Sequence, residues 1–204
     1  MFKVVSYGND NPFRILGDDR YRIDIPSWEW AGFPLWKELK YTEAIVVGRY
    51  NCDITRPTKL FLKGNAVTTI RGAEKLVNIS YVQASGCGFT EIPHWIQRLP
   101  RLSDVYLNDN DLTEIPNWMR HLPMLKYINL DNNDLTEIPD WFMAITTLER
   151  AYFINNSRLR SLTAVSTTLK VIILEYCDIQ SLPNDFFHHK LERVSLDYNK
   201  GRTL

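Results

Sequence analysis

The chain has no net charge, since 24 Lys plus Arg stand against 24 Asp plus Glu in 204 residues. So balanced a composition gives no strong overall attraction to nucleic acid or to an anionic membrane. It also lacks any apolar run near the ~18 residues of a spanning helix. Residues 1–10 place too few apolar residues ahead of polar ones to read as a signal peptide. A cytoplasmic protein with no membrane partner is therefore expected. The three cysteines, Cys52, Cys87 and Cys177, make no disulfide framework and read as small apolar residues. The sequons at 78–80 and 155–157 matter only in a secreted protein.

Catalytic signatures are missing as well. There is no phosphate-cradling glycine loop, no metal-ligand spacing and no nucleophile elbow. The four histidines, His94, His121, His188 and His189, fall in segments that read as return connections. Only His188-His189 with Asp185 approaches a ligand set, and an adjacent pair is weak grounds for a metal. No enzyme, catalytic residue, metal or cofactor is expected.

What the chain does have is a line that recurs. Asn110-Asp-Leu-Thr-Glu-Ile-Pro-Asn-Trp118 returns as Asn133-Asp-Leu-Thr-Glu-Ile-Pro-Asp-Trp141, 23 residues later. A period of this length signals a solenoid, whose units bury their apolar faces only by stacking on neighbours. Seven units fit a Leu-x-x-Leu-x-Leu-x-x-Asn pattern, with position 1 at Pro57, Ile79, Leu102, Leu125, Leu148, Leu169 and Leu191. Position 9 is then Asn65, Cys87, Asn110, Asn133, Asn156, Cys177 and Asn199. Positions 4 and 6 are apolar throughout, from Leu60 and Leu62 to Val194 and Leu196. That two-residue alternation belongs to a short strand with one buried face. An inward asparagine at position 9 has donors and acceptors for backbone groups cut off from water.

These residues resemble the leucine-rich repeat superfamily. The 23-residue period, with Ile-Pro or Leu-Pro at positions 14 and 15, is similar to its intracellular typical subtype. The resemblance covers residues 57–204 and implies an α/β solenoid, right-handed and curved. It implies a parallel sheet on the concave side and short helical or extended segments on the convex side. Trp95, Trp118 and Trp141 share position 17, followed by Ile96, Met119 or Phe142, then Leu99, Leu122 or Ile145. This spacing suits a helical turn packed on the core.

Residues 1–56 keep the period poorly. Asp24-Ile-Pro-Ser-Trp28 echoes the Glu-Ile-Pro-x-Trp of the later units, and residues 43–47 read as a strand. We expect an irregular N-terminal cap with degenerate repeats over 1–56, covering the solenoid end with Trp28, Trp30, Phe33, Leu35 and Trp36. The last unit has its strand but no return segment, so its edge is expected to be exposed unless paired, by a second copy in a homodimer or by a partner. The unit after Asn156 holds one extra residue and lacks Pro-x-Trp over 163–168, which predicts a thinner convex side there.

Positions 3 and 5 point outward. Position 3 reads Lys59, Tyr81, Asp104, Tyr127, Arg150, Val171 and Arg193, and position 5 reads Phe61, Gln83, Tyr106, Asn129, Tyr152, Ile173 and Ser195. Tyr81, Tyr106, Tyr127 and Tyr152 zigzag over consecutive strands and are expected to form one stripe of about 15 Å. Arg150 and Arg193 lie beside it. Tyr and Arg commonly anchor protein interfaces. Asp109, Asp131, Glu175 and Asp197, at positions 7 and 8, form an acidic margin suited to a basic partner surface.

The expected function is non-enzymatic binding of a protein or extended peptide on the concave face, as an inhibitor, adaptor or subunit. The small free-standing proteins this chain resembles include bacterial effectors and phage or host regulatory proteins. Two other classes remain. A nucleic-acid binder, which the charge balance disfavours, would use Lys59, Lys63, Lys126, Arg150, Lys170 and Arg193 with the tyrosines as stacking platforms. A structural homo-oligomer subunit would use the C-terminal edge.

Overall fold

The structure is a computed structural model that describes residues 59–62, 69–71, 73–188 and 190–199, together with the backbone of 22–24 and 43–45. Every described strand is three residues long. They are β1 (Arg22–Asp24), β2 (Glu43–Ile45), β3 (Lys59–Phe61), β4 (Thr69–Arg71), β5 (Tyr81–Gln83), β6 (Asp104–Tyr106), β7 (Tyr127–Asn129), β8 (Arg150–Tyr152), β9 (Val171–Ile173) and β10 (Arg193–Ser195). Eight form a parallel sheet in the order β1-β3-β5-β6-β7-β8-β9-β10, and β2 pairs with β4 in a two-stranded parallel sheet. From β3 onward the register joins equal repeat positions: Lys59 to Tyr81, Asp104, Tyr127, Arg150, Val171 and Arg193 in turn.

The strands are short because position 8 turns the chain. Gly86, Asp109, Asn132, Asn155, Tyr176 and Tyr198 all occupy it with φ between 53° and 62°. Glycine, asparagine and aspartate adopt this left-handed conformation more readily than other residues. From Gly86 to Tyr176 the turn points the position 8 N–H at the next unit, as from Asp109 to the Asp131 carbonyl at 2.9 Å and from Asn132 to that of Ile154 at 2.7 Å.

Inward from the strands, positions 4 and 6 are fully buried from Leu60 and Leu62 through Ile172 and Leu174. Below them runs the position 9 column. Asn110 Oδ1 accepts the N–H groups of Cys87 and Phe89 at 3.0 Å, while its Nδ2 donates to the carbonyls of Ala84 and Leu107. Asn133 and Asn156 repeat the pattern, donating to Leu107 and Leu130, and to Leu130 and Phe153. Where the column has Cys177, its Sγ–H donates to the Phe153 carbonyl at 3.2 Å. Burial pushes that thiol up to about 11, so it stays protonated and unreactive near neutrality.

On the far side, Pro93 and Pro116 open 3-10 turns at His94–Arg98 and Asn117–His121, and Pro139 opens α1 (Asp140–Met143). Proline suits this place because its φ is preset and an N–H there would be unpaired. Ile96, Met119 and Phe142 are fully enclosed, while Trp118 and Trp141 pack partly buried against the core. The unit after Asn156 has no helical segment in place of the Pro-x-Trp turn: it turns at Ser157–Arg158, where the Leu159 N–H donates to the Asn156 carbonyl at 2.9 Å, and Ser161 bridges Ser181. Leu159 and Leu162 fill the places held elsewhere by Leu112 and Ile115 or by Leu135 and Ile138, so the extra residue shifts the chain while the core stays filled.

One expectation changes, and the first strand finds its register. Arg22, Ile23 and Asp24 pair with Lys59, Leu60 and Phe61. Asp24 therefore stands level with position 5, in keeping with the poor period of this segment in the sequence. Backbone pairing with β3 sets that register. The expectation that changes concerns β9, whose outward residues Val171 and Ile173 are only 9% and 2% exposed. The register sets Arg150 and Arg193 on either side of Val171, and long arginine stems commonly lie over apolar neighbours. The proposed capping residues of the N-terminal segment, Cys52 and Asn65 lie outside the described residues.

Candidate protein-binding face

Outward-facing side chains of the central strands form one continuous aromatic line. Ring centroids are separated by 5.5 Å from Phe61 to Tyr81, 5.0 Å to Tyr106, 4.7 Å to Tyr127 and 5.3 Å to Tyr152, with planes tilted by 31° to 41°. The spacing follows that of parallel strands, ~4.8 Å, and offset, tilted rings suit their quadrupoles. The rings alternate between positions 3 and 5, each leaning on its neighbour, and all are half-buried. Phe61 is a member the sequence reading placed at position 5 but did not add to the stripe. Tyr152 stands in register with Ile173, which continues the line as an apolar residue.

Charges flank this line. The Lys59 ammonium lies 5.7 Å from the Tyr81 ring centroid. Asp104, between Tyr81 and Tyr127 on the position 3 row, accepts a hydrogen bond from the Ser103 hydroxyl. Arg150 and Arg193 are exposed on the same row. The Tyr127 phenol is driven far above its ordinary range, first by burial and then by the Tyr106 hydroxyl. It stays neutral at any physiological pH.

Asp131 sits at the margin, where its carboxylate accepts the Ile154 N–H at 2.6 Å. Burial raises its pKa most, against the Ile154 and Asn129 hydrogen bonds, and the charges of Asp109 and Glu175 raise it further. Asp109 accepts from Asn132 Nδ2 at 2.7 Å, and Asn132 in turn accepts from Asn155 at 2.8 Å. Among the described residues no ion pair reaches Asp109, Asp131, Glu175 or Asp197.

The opposite rim carries a pattern the sequence reading missed. Position 2 alternates as Lys126, Glu149, Lys170 and Glu192. Glu149 meets Lys170 at 2.7 Å and Lys126 at 3.9 Å. The Lys170 hydrogen bond and charge hold the Glu149 carboxyl below its usual range, and the same contact raises Lys170. The alternation is visible in the sequence once the units are aligned.

The site residues thus fall into three groups. Tyr81, Tyr106, Tyr127 and Tyr152 are in ring contact, Asp104, Arg150 and Arg193 share the position 3 row, and Asp131 lies on the margin. No cluster of three His, Cys, Asp or Glu side chains able to hold a metal occurs among the described residues. The His188 and His189 side chains lie outside them.

Residues 92–135 match the family model described as Leucine rich repeat. Solved structures agree over a longer stretch. A leucine-rich-repeat protein of Leptospira interrogans is 25% identical with a TM-score of 0.63, covering 74% of this chain and 39% of its own. An internalin from Listeria monocytogenes is 22% identical with a TM-score of 0.60, covering 74% of this chain and 44% of its own. The chain carries leucine-rich repeats, matched by sequence over residues 92–135 and by fold beyond them. No curated protein matches it by sequence. This leucine-rich-repeat chain spans about two fifths of each of those two structures. No helix among its described residues is long and apolar enough to cross a membrane.

Proposed function

We propose that the chain binds a protein, or an extended peptide, across the outer face of its sheet. It acts by occupying that surface, as a cytoplasmic inhibitor, adaptor or subunit, without chemistry of its own. The supporting observation is the run of Phe61 and four tyrosines in contact on five consecutive strands. Ring contacts help the sheet by about 0.2 to 1 kcal/mol per pair, and purely apolar residues would do that equally well. Phenols add a group that water satisfies when the face is free and a partner satisfies when it is covered.

Tyr106→Ala/Tyr127→Ala tests the reading. Both rings stand outside the core, so the variant keeps its cooperative unfolding. Capture from source-organism lysate then has a defined result: a protein held by wild type is lost from the variant, each ring contributing about 1 to 2 kcal/mol of affinity. Equal capture by both chains rejects the sheet face.

A second reading follows from the last described strand. Among the described residues β10 pairs only with β9, and Val194, at the normally buried position 4, is 36% exposed. A second copy pairing along this edge would make a homodimer. A strictly monomeric mass by light scattering across micromolar concentrations removes it.

A further inference from the structure

Position 8 changes character along the solenoid. It is Gly86, Asp109, Asn132 and Asn155 in four successive units, residues that tolerate a left-handed backbone. In the last two it is Tyr176 and Tyr198, at φ 54° and 60°. The turn itself needs no ring. Tyr176 N–H bonds the Asp197 carbonyl at 3.0 Å, as Asn155 N–H bonds that of Glu175.

The two rings project into solvent and stack on one another, with centroids 4.3 Å apart and planes 8° from parallel. Tyr176 is 45% exposed and Tyr198 71%. Since one face of Tyr198 is covered by Tyr176, its exposure lies on the other face and the edges. Each tyrosine directly follows an acid, giving Glu175-Tyr176 and Asp197-Tyr198. The Tyr176 phenol is raised by desolvation against its neighbours, then by the Tyr198 hydroxyl, then by the charges of Glu175 and Asp197. Two carboxylates thus adjoin the pair, and no cation lies over either ring among the described residues.

We propose that Tyr176 and Tyr198, with Glu175 and Asp197, form a docking point for an arginine side chain of a basic protein segment. A guanidinium is planar and weakly hydrated, so it continues the stack on the open face of Tyr198 while its N–H groups reach the Asp197 carboxylate. An ammonium matches the charge but not the planar stack. This surface lies at the turn ends of the strands, apart from the Phe61-to-Tyr152 line, and stands or falls separately from it.

The repeat supplies the variant for the test. Tyr176→Asn/Tyr198→Asn installs the residue already used by the units before it, so the fold is kept and the melting temperature is unchanged or higher. The probe is a fluorescein-labelled Gly-Ser-Arg repeat peptide read by anisotropy on the full chain. Its controls are the same peptide with citrulline for arginine, and the Tyr106→Ala/Tyr127→Ala protein. The arginine peptide is expected to bind saturably, and the asparagine variant to bind it roughly fivefold or more weakly. Glu175→Gln/Asp197→Asn weakens it too, the citrulline peptide fails to bind, and the Tyr106/Tyr127 variant behaves as wild type. Absence of binding, equal binding by the asparagine variant, or citrulline binding as well as arginine overturns the proposal.

Discussion

Asn156 is enclosed by the backbone it bonds, donating to Leu130 and Phe153 and accepting from Leu135 N–H at 3.1 Å. Replacing it by alanine strands the Leu135 N–H in the core and takes one donor from each carbonyl, leaving Leu130 with Asn133 and Phe153 with Cys177. Asn156→Ala should lower unfolding free energy by about 1 to 3 kcal/mol in urea denaturation. Asn156→Cys should cost less, because Cys177 already serves a position 9 site with one bond to Phe153. Asp131 behaves oppositely. Its folded pKa lies above the unfolded one, so ionisation carries a penalty that is absent below the unfolded value and complete above the folded one. Asp131→Asn keeps an acceptor for Ile154 N–H and loses the charge. It should melt higher than wild type at neutral pH, and the gap should close as pH falls through the carboxylate range. At this scale the position 9 column was legible because Asn and Cys recur in one phase. The left-handed column at position 8 was half-legible: Gly86, Asp109, Asn132 and Asn155 spell it, but Tyr176 and Tyr198 hide it.

The Pro-x-Trp turns show how one local sequence builds an element. Pro93, Pro116 and Pro139 start the turn, and the residue three on, Ile96, Met119 or Phe142, donates its N–H back to the proline carbonyl at 2.9 to 3.1 Å while its side chain enters the core. Phe142 meets Phe153 edge-on at 6.4 Å, so it ties the turn to the strand beneath. Phe142→Ala should cost about 3 to 5 kcal/mol, read as a shift in the urea midpoint at constant slope. A shift under ~1 kcal/mol would mean that the turn can collapse onto the core. Sequence reading found these elements because the apolar spacing is periodic. It misjudged β9, where Val171 and Ile173 obey the outward phase yet are covered, since coverage depends on neighbouring side chains that no single-strand pattern contains.

As a whole the molecule is a stack of units that touch only their neighbours, so its stability is roughly a sum of unit and interface contributions, while its outer face adds up across many units. That summation is why five rings from five strands make one surface that no single repeat possesses. The architecture was legible in the 23-residue period. A partner was not, because an outward position carries no structural constraint from which to read one.

The most direct measurement is photo-crosslinking in the source organism, with p-benzoylphenylalanine placed at Tyr106, at Tyr127, or at Arg120 on the opposite side. The account predicts one adduct of the same mass from positions 106 and 127 and none from 120. An adduct confined to position 120, or none from the two tyrosine positions, would contradict it.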